Sequence, residues 1–269
     1  MPKASPQPSN VLSTNKQFLE TALRAANAAD EVSQAGFNSR MFTVSRKADN
    51  SEVTEIDRNT ETAISSVLRE ACPEFGVYGE EHGTSGPTDA KYVWVIDPID
   101  GTTNFVRGVP VWGSLIALVH NEIPVLGVVS APALGMRWWA SVGDGAYFNG
   151  TRIYVSSVSD LSEAHVSTTP NKGWEKVAGL PALQQLQVDA LRSRGFGDFW
   201  QHMLVAQGAI DVAIDAIGLA PYDNAAIYPI VQEAGGTITD RNGNSDWRAN
   251  SLVSSNGLLH STVIDRLPS

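Results

Sequence analysis

The sequence predicts a mixed α/β (α+β) protein, and three features carry that prediction. Two amphipathic segments of helical spacing open the chain. A run of short apolar stretches between Tyr92 and Ile153 alternates with turn residues, and beyond about Ser159 helical spacing alternates with brief strand-like runs. At 269 residues and 42% hydrophobic content the chain can bury a substantial core, as one large domain or as two closely packed halves.

In chain order, residues 1–13 carry three prolines and no apolar leader, which predicts a mobile tail and no signal peptide. From Thr14 to about Gly36, Phe18, Leu19, Ala22, Leu23, Ala26 and Ala29 recur at helical spacing, and Gly36 is a natural stop. A polar stretch, SRKADNSE, separates this helix from a second one in VTEIDRNTETAISSVLREACPEF, which Pro73 ends. YVWVID, VWGSLIALV, VLGVVSAP, MRWWASV and GAYFN then read as strands of a meander, with Asn149-Gly150 as a tight hairpin turn. WQHMLVAQGAIDVAIDAI, YDNAAIYPIVQEAGGTITD and SLVSSNGLLHSTVIDRL supply the later helices and strands. The expected organisation is an N-terminal half over 14–158 and a C-terminal half over 159–269, sharing a packed interface because no linker separates them.

Composition narrows the partners. With 19 basic against 29 acidic residues the net charge is −10, which argues against nucleic acid or an anionic membrane and favours cation binding. Cys72 is the single cysteine, so an internal disulfide and a thiolate zinc site are both excluded, and a reducing, cytoplasmic setting is expected. Its simplest role is in the core. The five histidines show no zinc-ligand spacing, and neither a phosphate-binding P-loop nor a dinucleotide fingerprint is present.

What stands out is acid at the ends of elements: Asp57 in VTEIDRNT, Glu80 and Glu81 in YGEEHG, Asp97 and Asp100 in DPIDGTTN, and Asp223 in PYDNAA. Val93 to Ile96 read as a buried strand, so Asp97 is expected to emerge at its solvent end, with Pro98 blocking further pairing. Two carboxylates so close repel, and a basic partner or a metal cation must neutralise them. Hard divalent ions such as Mg²⁺ take carboxylate and carbonyl oxygens together with water and phosphate. The competing role for each acid is a helix cap or solvated turn, a stronger reading for Asp223 than for the Asp97 and Asp100 pair. Gly101 and Thr102 can present backbone N–H groups to a phosphate oxygen at the turn that follows. An anion site beside a cation site points to phosphoryl chemistry.

With these residues in place, the chain resembles the inositol monophosphatase superfamily of Mg²⁺-dependent, lithium-sensitive phosphatases, through GEEHG, DPIDGTTNF, GAYFNG and PYDNAAIYPIVQEAGG in the order and approximate spacing of that superfamily. The resemblance spans about residues 14–265. It implies a layered αβαβα sandwich, a homodimer, and two or three Mg²⁺ ions per site, with Mn²⁺ as a candidate substitute. Glu80, Asp97, the carbonyl of Ile99, Asp100 and Asp223 would be the ligands. Thr102 paired with Asp57 would orient and deprotonate the attacking water, with Glu80 in the same catalytic group, while Asp100, Gly101, Thr102 and Asp223 would also face the substrate.

Within the superfamily the chain is most similar to the histidinol-phosphate phosphatase branch of actinobacteria, through FVRGVPVWGSLIALV, SRGFGDFWQHMLVAQGAIDVAID and APYDNAA. Tyr222 stands where inositol phosphatases more often carry Trp. Ala216 stands seven residues before Asp223, where inositol-handling members commonly place a sugar-binding Glu. Arg194 and Asp198 are candidate contacts for the substrate's phosphate side and its cationic amine, against plain roles as a surface arginine and a helix N-cap. The expected substrate is a small phosphate monoester, histidinol phosphate first and inositol 1-phosphate second. A nucleotide-directed member is disfavoured by length, and a metal-binding regulator without turnover by the intact acidic set.

Overall fold

The computed structural model describes residues 8–47 and 52–268. Helix α1 (Pro8–Ser39) starts ahead of the Thr14 expected from its apolar spacing. Residues 8–13 are therefore helical and not tail, while 1–7 lie outside the described residues. A proline is tolerated in the first turn because its missing N–H has no intrahelical acceptor there. Strands β1 (Val44–Arg46) and β2 (Glu52–Thr54), at the two ends of the polar stretch, pair antiparallel, and β2 leads into α2 (Glu55–Ala71). Cys72 is buried and forms the C-cap of α2.

The larger sheet contains β3 (Gly76–Gly79), β4 (Gly83–Ser85), β5 (Tyr92–Asp100), β6 (Gly113–His120), β7 (Ile123–Ala131), β8 (Met136–Ser141), β9 (Gly145–Phe148) and β10 (Thr151–Ile153). From β5 onward it is a meander, in the order β10-β9-β8-β7-β6-β5-β3-β4. Its last hairpin turns on Asn149 and Gly150, both at positive φ (46° and 84°), as an Asn-Gly turn between strands requires. Short helix α3 (Thr102–Arg107) follows β5 directly.

The smaller sheet runs β12-β11-β13-β15-β14, built from β11 (His165–Thr168), β12 (Arg192–Arg194), β13 (Val212–Ile214), β14 (Thr237–Thr239) and β15 (Val253–Ser255). Between its strands come α4 (Lys172–Lys176), α5 (Leu180–Asp189), α6 (Asp198–Ala206), α7 (Pro221–Asn224) and α8 (Ile227–Glu233), with α9 (His260–Ile264) last.

Strand alternation sorts these elements into layers. Trp94 and Ile96 of β5, with Ile116 and Leu118 of β6, face Ala22, Ala25, Ile64 and Leu68 of α1 and α2. Val95, Leu115 and Ala117 face the other way, toward Phe199 and Met203 of α6 and Ile227 and Ile230 of α8. On the far side of the smaller sheet, Val212 and Ile214 pack on Trp174, Leu183 and Val263 from α4, α5 and α9. The order is helices, sheet, helices, sheet, helices: the αβαβα sandwich. Among the described residues no helix is long and apolar enough to cross a membrane.

Candidate active site

Three physical devices bring the acids together. The first is parallel pairing of β3 and β5, which sets Gly79 opposite Ile96, so that the next residues, Glu80 just past β3 and Asp97 within β5, lie side by side. The second is a bulge. β5 does not stop at Asp97: pairing resumes at Asp100, so Pro98 and Ile99 stand against the single residue Ser114, whose hydroxyl donates to the Pro98 carbonyl (2.7 Å). A residue without an N–H fits such an unpaired position. Asp97 shares a face with Val93 and Val95 and is 2% exposed, in the middle layer and not at a solvent end as the sequence suggests. Third, Asp223 arrives from α7, whose first turn brings it, half-buried, to the same point.

Asp57 and Asp223 each sit three residues past their helix N-cap, and each spends one oxygen on capping. Asp57 Oδ2 accepts from the Thr54 N–H (2.8 Å) and hydroxyl (2.6 Å), and Asp223 Oδ2 accepts from the Ala220 N–H (2.7 Å). Capping and site roles therefore coexist. The other oxygen of Asp57 is 3.1 Å from the Thr102 hydroxyl, which also lies 2.9 Å from the Ile99 carbonyl. Gly101, the N-cap of α3, has φ 81°, and a Cβ there would stand 3.0 Å from the Val111 carbonyl. Only glycine makes that turn without strain.

Carboxylate oxygens of Asp97, Asp100 and Asp223 all lie within 4.8 Å of one another. Backbone N–H groups help: Phe199 donates to Asp100 (2.7 Å), besides the cap on Asp223. No Lys, Arg or His among the described residues pairs with these three acids, and the buried Asp97 Oδ1 has no hydrogen-bond partner. Burial, then mutual repulsion, pushes Asp97 and Asp100 well above the usual carboxylate range, and burial above all takes Asp223 up to about 6. An orphaned buried oxygen among unneutralised carboxylates fits a hard cation. Glu80 differs. Burial takes it to about 7 although Lys47 Nζ lies 2.7 Å away, bridging it to Glu81 at 2.6 Å.

Beyond Asp100 and Asp223, a cavity of about 120 Å³ is lined by Thr169, Asp198, Phe199, Asp215, Asn224 and Leu252, among others. Asp198 is the first residue of α6 and makes no cap bond. It has φ 47°, unusual for a non-glycine, and accepts instead from Asn104 of α3 (3.0 Å). Burial and neighbouring Asp215 raise it to about 6. Arg194 is not brought here. Its side chain is exposed, donates to the Ser193 carbonyl (2.6 Å) and lines a separate cleft with Arg192 and His165, which is the surface-arginine role.

Sequence reasoning passed over one residue of the site's support. Glu61, buried on α2, accepts from the N–H groups of Glu81 (2.7 Å) and His82 (3.0 Å) and so holds the Glu80 loop. Its signal was a glutamate on the apolar face of a helix. Asp215, which the sequence reading places near the pocket together with Asp198, does line the cavity and supplies the carboxylate that Ala216 lacks.

The sandwich and its acidic cleft define a class, and comparison with known proteins gives the same one: a model of the inositol monophosphatase family matches residues 14–268, and the chain belongs to that family. Among curated relatives, the histidinol-phosphatase of Mycobacterium tuberculosis is 41% identical over 254 residues, covering 93% of this chain and 97% of its own. That of Streptomyces coelicolor is 41% identical over 251 residues, covering 90% and 93%. Among solved structures, the extragenic suppressor protein SuhB of Bartonella henselae superposes with a TM-score of 0.87 at 28% identity, covering 93% of this chain and 97% of that one. The chain is a phosphoric monoester hydrolase, and the reading as a regulator without turnover is set aside.

Proposed function

We propose that the protein is a Mg²⁺-dependent histidinol-phosphate phosphatase, converting L-histidinol phosphate and water to L-histidinol and phosphate. The observation that carries the substrate is the acidic wall: Asp198 and Asp215 join Asp100 and Asp223 around the cavity, and among the described residues no cationic side chain lines it. A substrate bearing an ammonium group and an imidazole complements that wall. The relatives named histidinol-phosphatase support the same choice.

Glu80, Asp97, the Ile99 carbonyl, Asp100 and Asp223 would hold Mg²⁺. What the ion supplies there is acidification of a water and neutralisation of phosphate charge. The chain's own residues do the rest. Thr102 has one hydroxyl hydrogen and, turned to Asp57, leaves its oxygen to accept from the attacking water. A proton then passes from that water through Thr102 to Asp57 Oδ1 as the water oxygen bonds phosphorus and the ester P–O bond breaks, the leaving alkoxide taking a proton from a solvent water to become the alcohol. The Gly101 and Thr102 N–H groups receive phosphate oxygens. Asp198, fixed by Asn104, faces the amine.

A second reading, inositol-1-monophosphatase, is favoured by one observation: Asp215 places a carboxylate in the wall, and a carboxylate also accepts from sugar hydroxyls. Phosphate release from a panel of monoesters, with Mg²⁺ and with chelator, tests the proposal. Mg²⁺-dependent release with histidinol phosphate as the best substrate is expected. Release unaffected by chelation would overturn the metal assignment.

A further inference from the structure

Behind the cavity wall runs a buried chain of hydrogen bonds that none of the steps above uses. His202 of α6 has no exposed surface; its Nε2 lies 3.1 Å from Asp215 Oδ2 and its Nδ1 lies 2.8 Å from the Ser254 hydroxyl. Ser254, at the centre of β15, is also fully buried and pairs with Ala213 of β13, the strand that ends just before Asp215.

The chemistry of each group orders the bonds. A carboxylate in this chain can only accept, so Nε2 carries the hydrogen, and in the neutral imidazole Nδ1 then accepts from Ser254. Both donors point one way, from Ser254 to His202 to Asp215. The other Asp215 oxygen accepts from the Ala216 N–H (2.7 Å). With one donor on each oxygen the plane of the carboxylate is fixed, and of its roughly four lone-pair sites about two remain for a ligand. The surroundings do not otherwise call for an imidazole: Phe199, Met203, Val205 and Ala206 of the same helix are apolar and buried.

We propose that His202, oriented by Ser254, is a positioning residue that sets the Asp215 carboxylate to receive the cationic part of the substrate, and thereby sets the preference for cationic over neutral phosphate monoesters. The proposal rests on the substrate reading above. It adds that this preference depends on a side chain that touches no substrate. Substrate selection would be written partly in α6 and β15, behind the wall that the ligand meets.

The test is steady-state kinetics of wild type, His202→Met, His202→Gln and Ser254→Ala on histidinol phosphate and on glycerol 2-phosphate, an ester with no amine. Losing a hydrogen bond to a charged group predicts that His202→Met raises KM for histidinol phosphate about tenfold, with kcat and the glycerol 2-phosphate kinetics within about twofold. His202→Gln, which restores an N–H near the position of Nε2, should recover most of the loss. Ser254→Ala should shift the same ratio by about threefold, and serves should His202→Met not fold. Equal losses on both esters, a fall confined to kcat, or an unmoved ratio would reduce His202 to a core contact and overturn the proposal. If wild type itself does not prefer histidinol phosphate to glycerol 2-phosphate, the substrate reading fails and the proposal falls with it.

Discussion

Thr102, at the start of α3, places its hydroxyl 3.1 Å from the Asp57 carboxylate of α2, joining two elements 45 residues apart in sequence. The same hydroxyl lies 2.9 Å from the Ile99 carbonyl. Thr102→Val keeps the volume and removes the oxygen. Turnover should fall by roughly 10²–10⁴-fold, the usual worth of general-base assistance, with Mg²⁺ affinity retained. A capping role alone would instead lower the melting temperature and spare the rate, so kcat and Tm measured on the same variant distinguish the two.

Asp100→Asn removes one charge from a cluster that burial and repulsion already disfavour. The bond from the Phe199 N–H survives, because the amide oxygen still accepts. Turnover should be almost abolished and calorimetric Mg²⁺ binding lost, while the metal-free protein melts no lower than wild type. Wild-type Mg²⁺ affinity in this variant would remove Asp100 from the ligand set.

Proton and metal should compete for the cluster. Glu80 is raised to about 7 and Asp223 to about 6 by burial, with Asp97 and Asp100 raised as well. A carboxyl with a folded pKa above its unfolded one takes up protons on folding. Its contribution to stability is therefore greatest at acid pH and is lost as pH rises through the folded value. Buried His260, lowered to about 4, acts oppositely, losing stability as pH falls below its unfolded value of about 6.5. It does so with or without metal, so the difference in Tm between Mg²⁺-loaded and metal-free protein isolates the cluster. That difference should grow from near zero at about pH 5 to several degrees at about pH 8, and a flat profile would contradict it.

Gly101→Ala forces a Cβ into a left-handed turn, 3.0 Å from the Val111 carbonyl. The cost should be about 1–2 kcal/mol of stability, read by urea denaturation, with activity lost through displacement of Thr102.

Much of this was legible in the sequence because it rests on local rules. Asn149-Gly150 announces its turn, and the short apolar run of YVWVID announces a buried strand. What was not legible depends on distant partners. Burial of Asp97 follows from a bulge held by Ser114 and from the approach of α7, neither of which spacing along DPID reveals. Asp198 offered the sequence two roles, amine contact or cap, and what separates them is distant: it makes no cap bond, and Asn104 across the fold holds its carboxylate at the cavity. Arg194 looked like a phosphate ligand because arginine suits phosphate, but β12 is the edge strand of its sheet and carries that side chain outward.

The acidic wall should select a cationic phosphate monoester. The most direct test of that selection is the ratio of kcat/KM for histidinol phosphate to that for inositol 1-phosphate at saturating Mg²⁺, in wild type and in Asp198→Asn. Leaving a buried charge unpaired commonly costs several kcal/mol, on the order of 3–5, so the wild-type ratio should exceed about a hundredfold. Asp198→Asn should shrink it mainly by impairing histidinol phosphate. A wild-type ratio of one or below would rule out selection by the wall and place the protein's preference with the inositol phosphatases.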